Sequence, residues 1–324
     1  MTSTARRRLL PSWSLNALLF FATVVSVLMA GAQWQSGKPP VGFIATLRAG
    51  ISFALPLMMI LVAHELKHYI ATHQHKIPAS LPYFIPLPTI GPIGSPFGTL
   101  GAVILMTRRI RSARALLDIG ASGPLAGMVF AVPLMLFGLS LSKLEPRVLT
   151  GFQQEGQSLL YCGLKWLVFG HIPANYDVVL HPTALAAWVG FLVTFLNLVP
   201  FSQLDGGHVA YALLGSRHDR ISRLLWLLPV TLCIYNAVVH AGPAISIGFR
   251  QGWAQVPESL AARAISATSL WSMLSVLLGV VTWSRGGTHP PVEEPGLDPV
   301  RRGIAWFTLA LFVLLFMPSP LVAF

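Results

Sequence analysis

Seven apolar runs divide this chain, near residues 14–33, 47–71, 115–142, 183–203, 224–241, 265–283 and 303–322. Each is on the order of the 20 residues a helix needs to cross a bilayer. Lipid offers no partner for a backbone N–H or C=O, so spanning segments of this length fold as helices. The expected fold class is therefore an all-α polytopic membrane protein with about seven transmembrane helices. Composition agrees, with 54% hydrophobic and only 10% charged residues.

The 22 Lys and Arg against 11 Asp and Glu do not form a nucleic-acid face, because they sit in short clusters between apolar runs. They follow the positive-inside pattern instead. With the N-terminus cytoplasmic, fifteen of them fall on the cytoplasmic side and seven on the other. Arg6, Arg7 and Arg8 precede the first run, which reads as a retained span in preference to a signal peptide cut near Ala30-Gly31-Ala32. A compact chain without an organelle-type transit segment points to a multi-pass protein of a bacterial inner membrane. Cys162 and Cys233 supply neither a disulfide framework nor a four-cysteine metal site.

Between the second and third runs, LPYFIPLPTIGPIGSPFGTLGAVILM (residues 81–106) is apolar but too rich in Pro and Gly for a continuous helix. Non-helical backbone at membrane depth survives where protein or a water-filled cavity satisfies it, so this segment is expected to be a membrane-embedded extended or hairpin element lining a cavity. Residues 143–182 hold a shorter apolar run, Leu159 to Phe169, on the non-cytoplasmic side.

The second run carries LVAHELKHYIATH (residues 61–73). Ionisable side chains are costly inside a span and by default mark function. His64, Glu65 and His68 make HExxH. On a helix, positions i and i+4 share a face, so both imidazoles can converge on one metal ion, with Glu65 placed to act as general base on the attacking water. The competing reading is a pair of interfacial histidines with Glu65 and Lys67 snorkelling. A catalytic zinc takes three protein ligands. The candidate third is Asp205 in NLVPFSQLDGGH (residues 197–208), which the threading puts at the depth of the two histidines. By itself Asp205 reads equally well as a turn residue, with Gly206 and Gly207 ending a helix. His208 is placed to tune such a site or sense pH, while His73, His75, His171, His181, His218, His240 and His289 read as polar residues of the membrane boundary. Asp118 is a candidate partner for a zinc histidine or a first-turn helix acid.

HELKH together with NLVPFSQLDGG resembles the site-2 protease family of intramembrane zinc metalloproteases. Asn197, Pro200, Leu204, Asp205 and Gly206 match the family's NxxPxxxLDG pattern, and GASGPLAG (residues 120–127), with Gly123 and Pro124, resembles the glycine-proline segment of its intervening span. The resemblance implies one Zn2+ per chain held by His64, His68 and Asp205, activation of water by Glu65, and substrate or oxyanion binding by Asn197. Pro200, Leu204, Gly206, Gly207, Gly123 and Pro124 would support them. It further implies a transmembrane protein substrate cut within the bilayer near the cytoplasmic face, in a metalloprotease core at residues 45–215. An N-terminal span and lead-in at 1–44 and additional C-terminal helices at 216–324 would flank that core. No connecting segment has room for the PDZ domain of some members, and the nucleotide-sensing CBS pair of others is missing from the end. Two other readings are a non-proteolytic zinc transporter or scaffold, and a CAAX-type membrane metalloprotease. The first needs more polar residues along the spans, and the second expects a downstream His or Glu where this chain has LDGG.

Overall fold

The computed structural model describes residues 13–36, 42–88, 95–146, 153–285 and 289–323. The basic cluster at Arg6 to Arg8 and the centre of the 81–106 segment lie outside them. Among the described residues, five helical stretches are long and apolar enough to cross a membrane, the fourth of them an interrupted run over Asp205–Gln251.

Helix α1 is Trp13–Ser36, a short α2 is Phe43–Ala49, and α3 is Ile51–Gln74, so the second apolar run is broken at Gly50. A Cβ at Gly50 would collide with the backbone of Leu28, which explains why the bend presses so closely on α1. Pro56 sits inside α3. Proline leaves the carbonyl four residues earlier without its helical donor, and here the Thr183 hydroxyl donates to Ser52 O at 3.1 Å instead. Such a partner is what makes a proline tolerable in a buried span.

The expected extended segment is an antiparallel hairpin of β1, Tyr83–Pro86, and β2, Thr99–Val103. Helix α1 holds it: Asn16 Nδ2 donates to the carbonyls of Leu81 and Pro82 at 3.0 and 3.1 Å, and the Trp34 indole N–H donates to Pro96 O at 2.7 Å. The ladder runs on toward residue 107, with Ser80 N donating to Leu105 O and Thr107 N to Pro78 O. Leu105 and Thr107 thus turn their main-chain groups toward residues 78–80. By the alternation of a strand, those of Ile104 and Met106 face the opposite, outer edge.

Helix α4, Ala113–Ser140, packs between α3 and α6, Pro182–Asn197. Helix α6 has only 16 residues, shorter than the apolar run from which a span is read, and it is buried along most of its length. Wrapped in protein, it has no bilayer thickness to match. Phe53, Leu57, Ile60, Met135, Trp188, Phe191 and Phe195 fill this centre.

On the side toward which α4 ends lie β3, Lys143–Pro146, β4, Gln153–Glu155, α5, Leu159–Phe169, and β5, Tyr176–Val179, with β3 paired to β5. Helix α5 exposes Leu159, Trp166 and Leu167 and buries Tyr161 and Lys165. Lys165 Nζ lies 3.6 Å from both Glu155 Oε1 and Asp177 Oδ1, and the Tyr161 hydroxyl donates to Glu155 at 2.7 Å. Burial pushes the Glu155 carboxyl above the usual range, against the pull of Lys165 and the Tyr161 hydrogen bond.

Beyond α6 the chain turns through residues 198–204 into α7, Asp205–Leu214. The diglycine therefore opens a helix and does not end one. Cβ atoms at Gly206 and Gly207 would strike the carbonyls of Leu198 and Ser202, so glycine is what lets the turn fold back on the first turn of α7. Helices α8, His218–Leu225, α9, Leu227–Asn236, and α10, Gly242–Gln251, continue the interrupted run, with a π turn at residues 237–241. The run at 224–241 is thus part of a longer bent stretch. Helix α11, Glu258–Arg285, and the 17-residue α12, Pro299–Leu315, follow, and β6, Leu321–Ala323, pairs with β4.

Candidate metal centre

His64 and His68 lie on the face of α3 that meets α4 and the start of α7. His64 is 3% exposed and Glu65 7%. Three atoms converge: His64 Nε2 and His68 Nε2 are 3.1 Å apart, and Asp205 Oδ2 is 3.1 Å from His68 Nε2 and 3.3 Å from His64 Nε2. Zinc bonded to N and O donors at 2.0–2.1 Å in a tetrahedron sets its ligand atoms roughly 3.3 Å apart. The donor set and the spacing therefore fit that ion. Among the described residues this is the one group of three or more His, Cys, Asp or Glu side chains so arranged.

The local sequence explains how the group is held. His68 Nδ1 is 2.8 Å from the carbonyl of Ile119. A protonated Nδ1 donating there leaves the Nε2 lone pair directed at the other two ligand atoms. Pro124 brings no N–H into α4, loosening the helical ladder beside the carbonyl that His68 uses. Gly123 leaves the space that the His68 imidazole fills, since a Cβ there would overlap the ring, and Gly120 does the same for His208 Cβ at 2.7 Å. Asp118 does not reach either candidate ligand. It accepts from Arg301 Nε and Nη2 at 2.9 and 2.8 Å and pairs with His75 Nε2 at 2.9 Å, joining the end of α3 and the start of α12 to α4.

The turn before Asp205 is pinned from behind. His218 Nε2 is 2.9 Å from Pro200 O, and Ser202, at a positive φ of 46°, donates its N–H to the Ser222 hydroxyl at 2.9 Å. His218 and Ser222 are fully buried. Neither stands out in the sequence, because their partners lie some twenty residues away in a loop. Leu204 precedes α7, and its carbonyl accepts from His208 N at 2.9 Å. Asn197 ends α6 and carries its amide nitrogen to 3.3 Å from His64 Nε2. His208 lies under the same site and meets His289 Nε2 through Nδ1 at 2.8 Å. Burial holds the imidazole of His289 below its ordinary pKa.

A cavity of about 250 Å³ opens over the group, lined by Glu65, Asn197, Gln203, the strand residues Ala102 and Val103, and Ile104 and Met106 just past β2, among others. Charged side chains and the outer edge of the hairpin's second strand thus line one cavity. The Glu65 carboxylate, the Asn197 amide and a strand edge meet in one space.

Residues 52–235 match the family model described as peptidase family M50. The chain is 28% identical over 239 residues to the probable zinc metalloprotease EGY2, chloroplastic, of Oryza sativa subsp. indica, covering 70% of this chain and 42% of that protein. It is 30% identical over 173 residues to the probable zinc metalloprotease EGY1, chloroplastic, of Arabidopsis thaliana, covering 52% of this chain and 30% of that protein. The chain thus spans less than half the length of the curated relatives it matches. No solved structure matches it.

Proposed function

The chain belongs to peptidase family M50, the site-2 protease family its motifs resemble, and from that membership we propose that it is a zinc-dependent protease cutting peptide bonds in or near transmembrane segments. The observation that carries the reading is the convergence of His64 Nε2, His68 Nε2 and Asp205 Oδ2 at 3.1–3.3 Å, in a cavity that also contains Glu65. These three residues would hold the ion. When bound, zinc supplies a Lewis acid that acidifies water and polarises a carbonyl.

The protein's own groups do the rest. Glu65 takes the proton from the attacking water and returns it to the leaving amine. Asn197, next to His64, offers its amide N–H to the carbonyl oxygen as negative charge develops there. The outward main-chain groups of Ile104 and Met106 hold the substrate as an added strand, keeping the scissile bond extended over the site. A helical substrate has its carbonyls engaged four residues on, so it must unwind first. Among the alternatives read from sequence, a CAAX-type enzyme would place His or Glu where Asp205 stands.

The Lys and Arg asymmetry supports a site facing the positive side of the membrane, cytoplasmic if the host membrane is a bacterial inner one. The relatives carry the word chloroplastic in their names, and charge asymmetry supports a side rather than an organelle. The test is cleavage in zinc-loaded liposomes of a model transmembrane segment, with Leu→Gly replacements near the cut. Each replacement removes roughly 1 kcal/mol of helix preference, so kcat/KM rises about fivefold per glycine, and a chelator stops all cutting. Cutting that survives chelation, or ignores helix strength, contradicts the proposal.

A further inference from the structure

The catalytic cavity is the first of three that adjoin one another along residues 102–112. The second, about 510 Å³, shares Ile104, Met106, Gln203 and His208 with the first. The third, about 770 Å³, shares Arg108, Arg109 and Ile110 with the second. A substrate strand lying on the outer edge of β2 and continuing past Met106 therefore runs from the site into the third cavity.

The chemistry of the walls changes along this path. The third cavity is lined by His75, Lys76, Arg108, Arg109, Arg111 and Glu293, with neutral residues between. Arg111 faces Glu293 at 3.5 Å and His75 pairs with Asp118 at 2.9 Å. No ion pair among the described residues reaches Lys76, Arg108 or Arg109. Beyond the Arg111–Glu293 pair, three positive charges thus line one concave space, and none of the three has a carboxylate of its own. Membrane proteins ordinarily carry Lys and Arg beside their spans on the positive side, and such a flank would be repelled here. Wrong partners are excluded as much by repulsion as right ones are held by attraction.

We propose that this cleft is a specificity subsite for acidic residues in the substrate segment flanking the scissile bond. Residues 108 and 109 lie two or three positions beyond Met106, whose outer edge would hold the substrate, so the acidic residues sit a few positions beyond the strand-paired segment. The inference rests on the protease reading and adds a substrate class to it. Continuity with the catalytic cavity favours a peptide over a lipid headgroup, which would need no such connection.

The test uses the full chain in phosphatidylcholine vesicles and two labelled transmembrane peptides differing only in four flanking residues, Asp and Glu in one, Asn and Gln in the other. Binding is read on the Glu65→Gln background and cleavage on the wild type. The acidic peptide is expected to bind about tenfold tighter, an advantage that fades near 1 M salt. Arg108→Gln with Arg109→Gln should erase it and leave binding and cutting of the neutral peptide unchanged. Equal binding of the two peptides overturns the inference, as does equal loss of both in the double variant. The binding is repeated in vesicles with added phosphatidylglycerol, and an advantage that the added lipid phosphate abolishes would assign the cleft to lipid headgroups and overturn the inference as well. Preferential binding without cleavage upholds the subsite and sinks the protease reading, whereas cleavage without preference does the reverse.

Discussion

Glu65→Gln is expected to remove peptide cleavage, lowering the single-turnover rate by about 10²- to 10⁴-fold while bound zinc is unchanged. The amide matches the carboxylate in size, so the packing of a residue only 7% exposed between α3 and the cavity is kept. What it lacks is the ability to accept a proton near neutral pH. Glu65 is not among the three converging ligand atoms, so metal content separates its role from theirs. A variant that still cuts within a few-fold of the wild type would remove Glu65 from proton transfer, and one that loses zinc as well would make it a ligand.

Gly123→Ala should be as damaging through a different route. The added methyl would occupy the position of the His68 ring, whereas at Gly127 a Cβ would meet His64 Nδ1 only at an ordinary 3.5 Å. Helix α4 is pressed against α3 along its length, and overpacking of that kind costs about 1–3 kcal/mol where neighbours can yield. Here the neighbour that yields is a candidate ligand, so His68 turns away from Asp205 and from the Ile119 carbonyl. Zinc affinity and kcat are expected to fall about 100-fold in Gly123→Ala, the upper end of what loss of a ligand's orienting contact does. Gly127→Ala should stay within a few-fold. Equal, mild effects at both positions would show that α4 accommodates the methyl and that Gly123 does not shape the site.

Much of the centre was legible in the sequence, for a physical reason. Charges inside an apolar run are expensive, so His64, Glu65 and His68 announce themselves, and counting spans puts Asp205 at their depth. The Pro and Gly pattern of residues 81–106 likewise excluded a helix, and the hairpin of β1 and β2 follows it. What escaped was whatever depends on a backbone atom or a distant partner. The orienting contact of His68 is a main-chain carbonyl of α4, which no side chain advertises. Asp118, a candidate partner for a ligand histidine or a first-turn helix acid by sequence, is instead joined to His75 and Arg301, the latter 183 residues away. Lys165 stands inside the apolar run Leu159 to Phe169, and only the fold shows it buried between Glu155 and Asp177. Helix lengths failed where a helix is surrounded by protein, as in α6, because hydropathy reports apolar surroundings without saying whether they are lipid.

Metal content of the purified full chain is the most direct test of the centre itself. Supplied with zinc and then freed of excess, the wild type should retain about one ion per chain, the Glu65→Gln variant the same, and Asp205→Ala well under half of that. A wild-type chain that retains no zinc, or an Asp205→Ala variant that retains as much as the wild type, would contradict a metal site built from His64, His68 and Asp205.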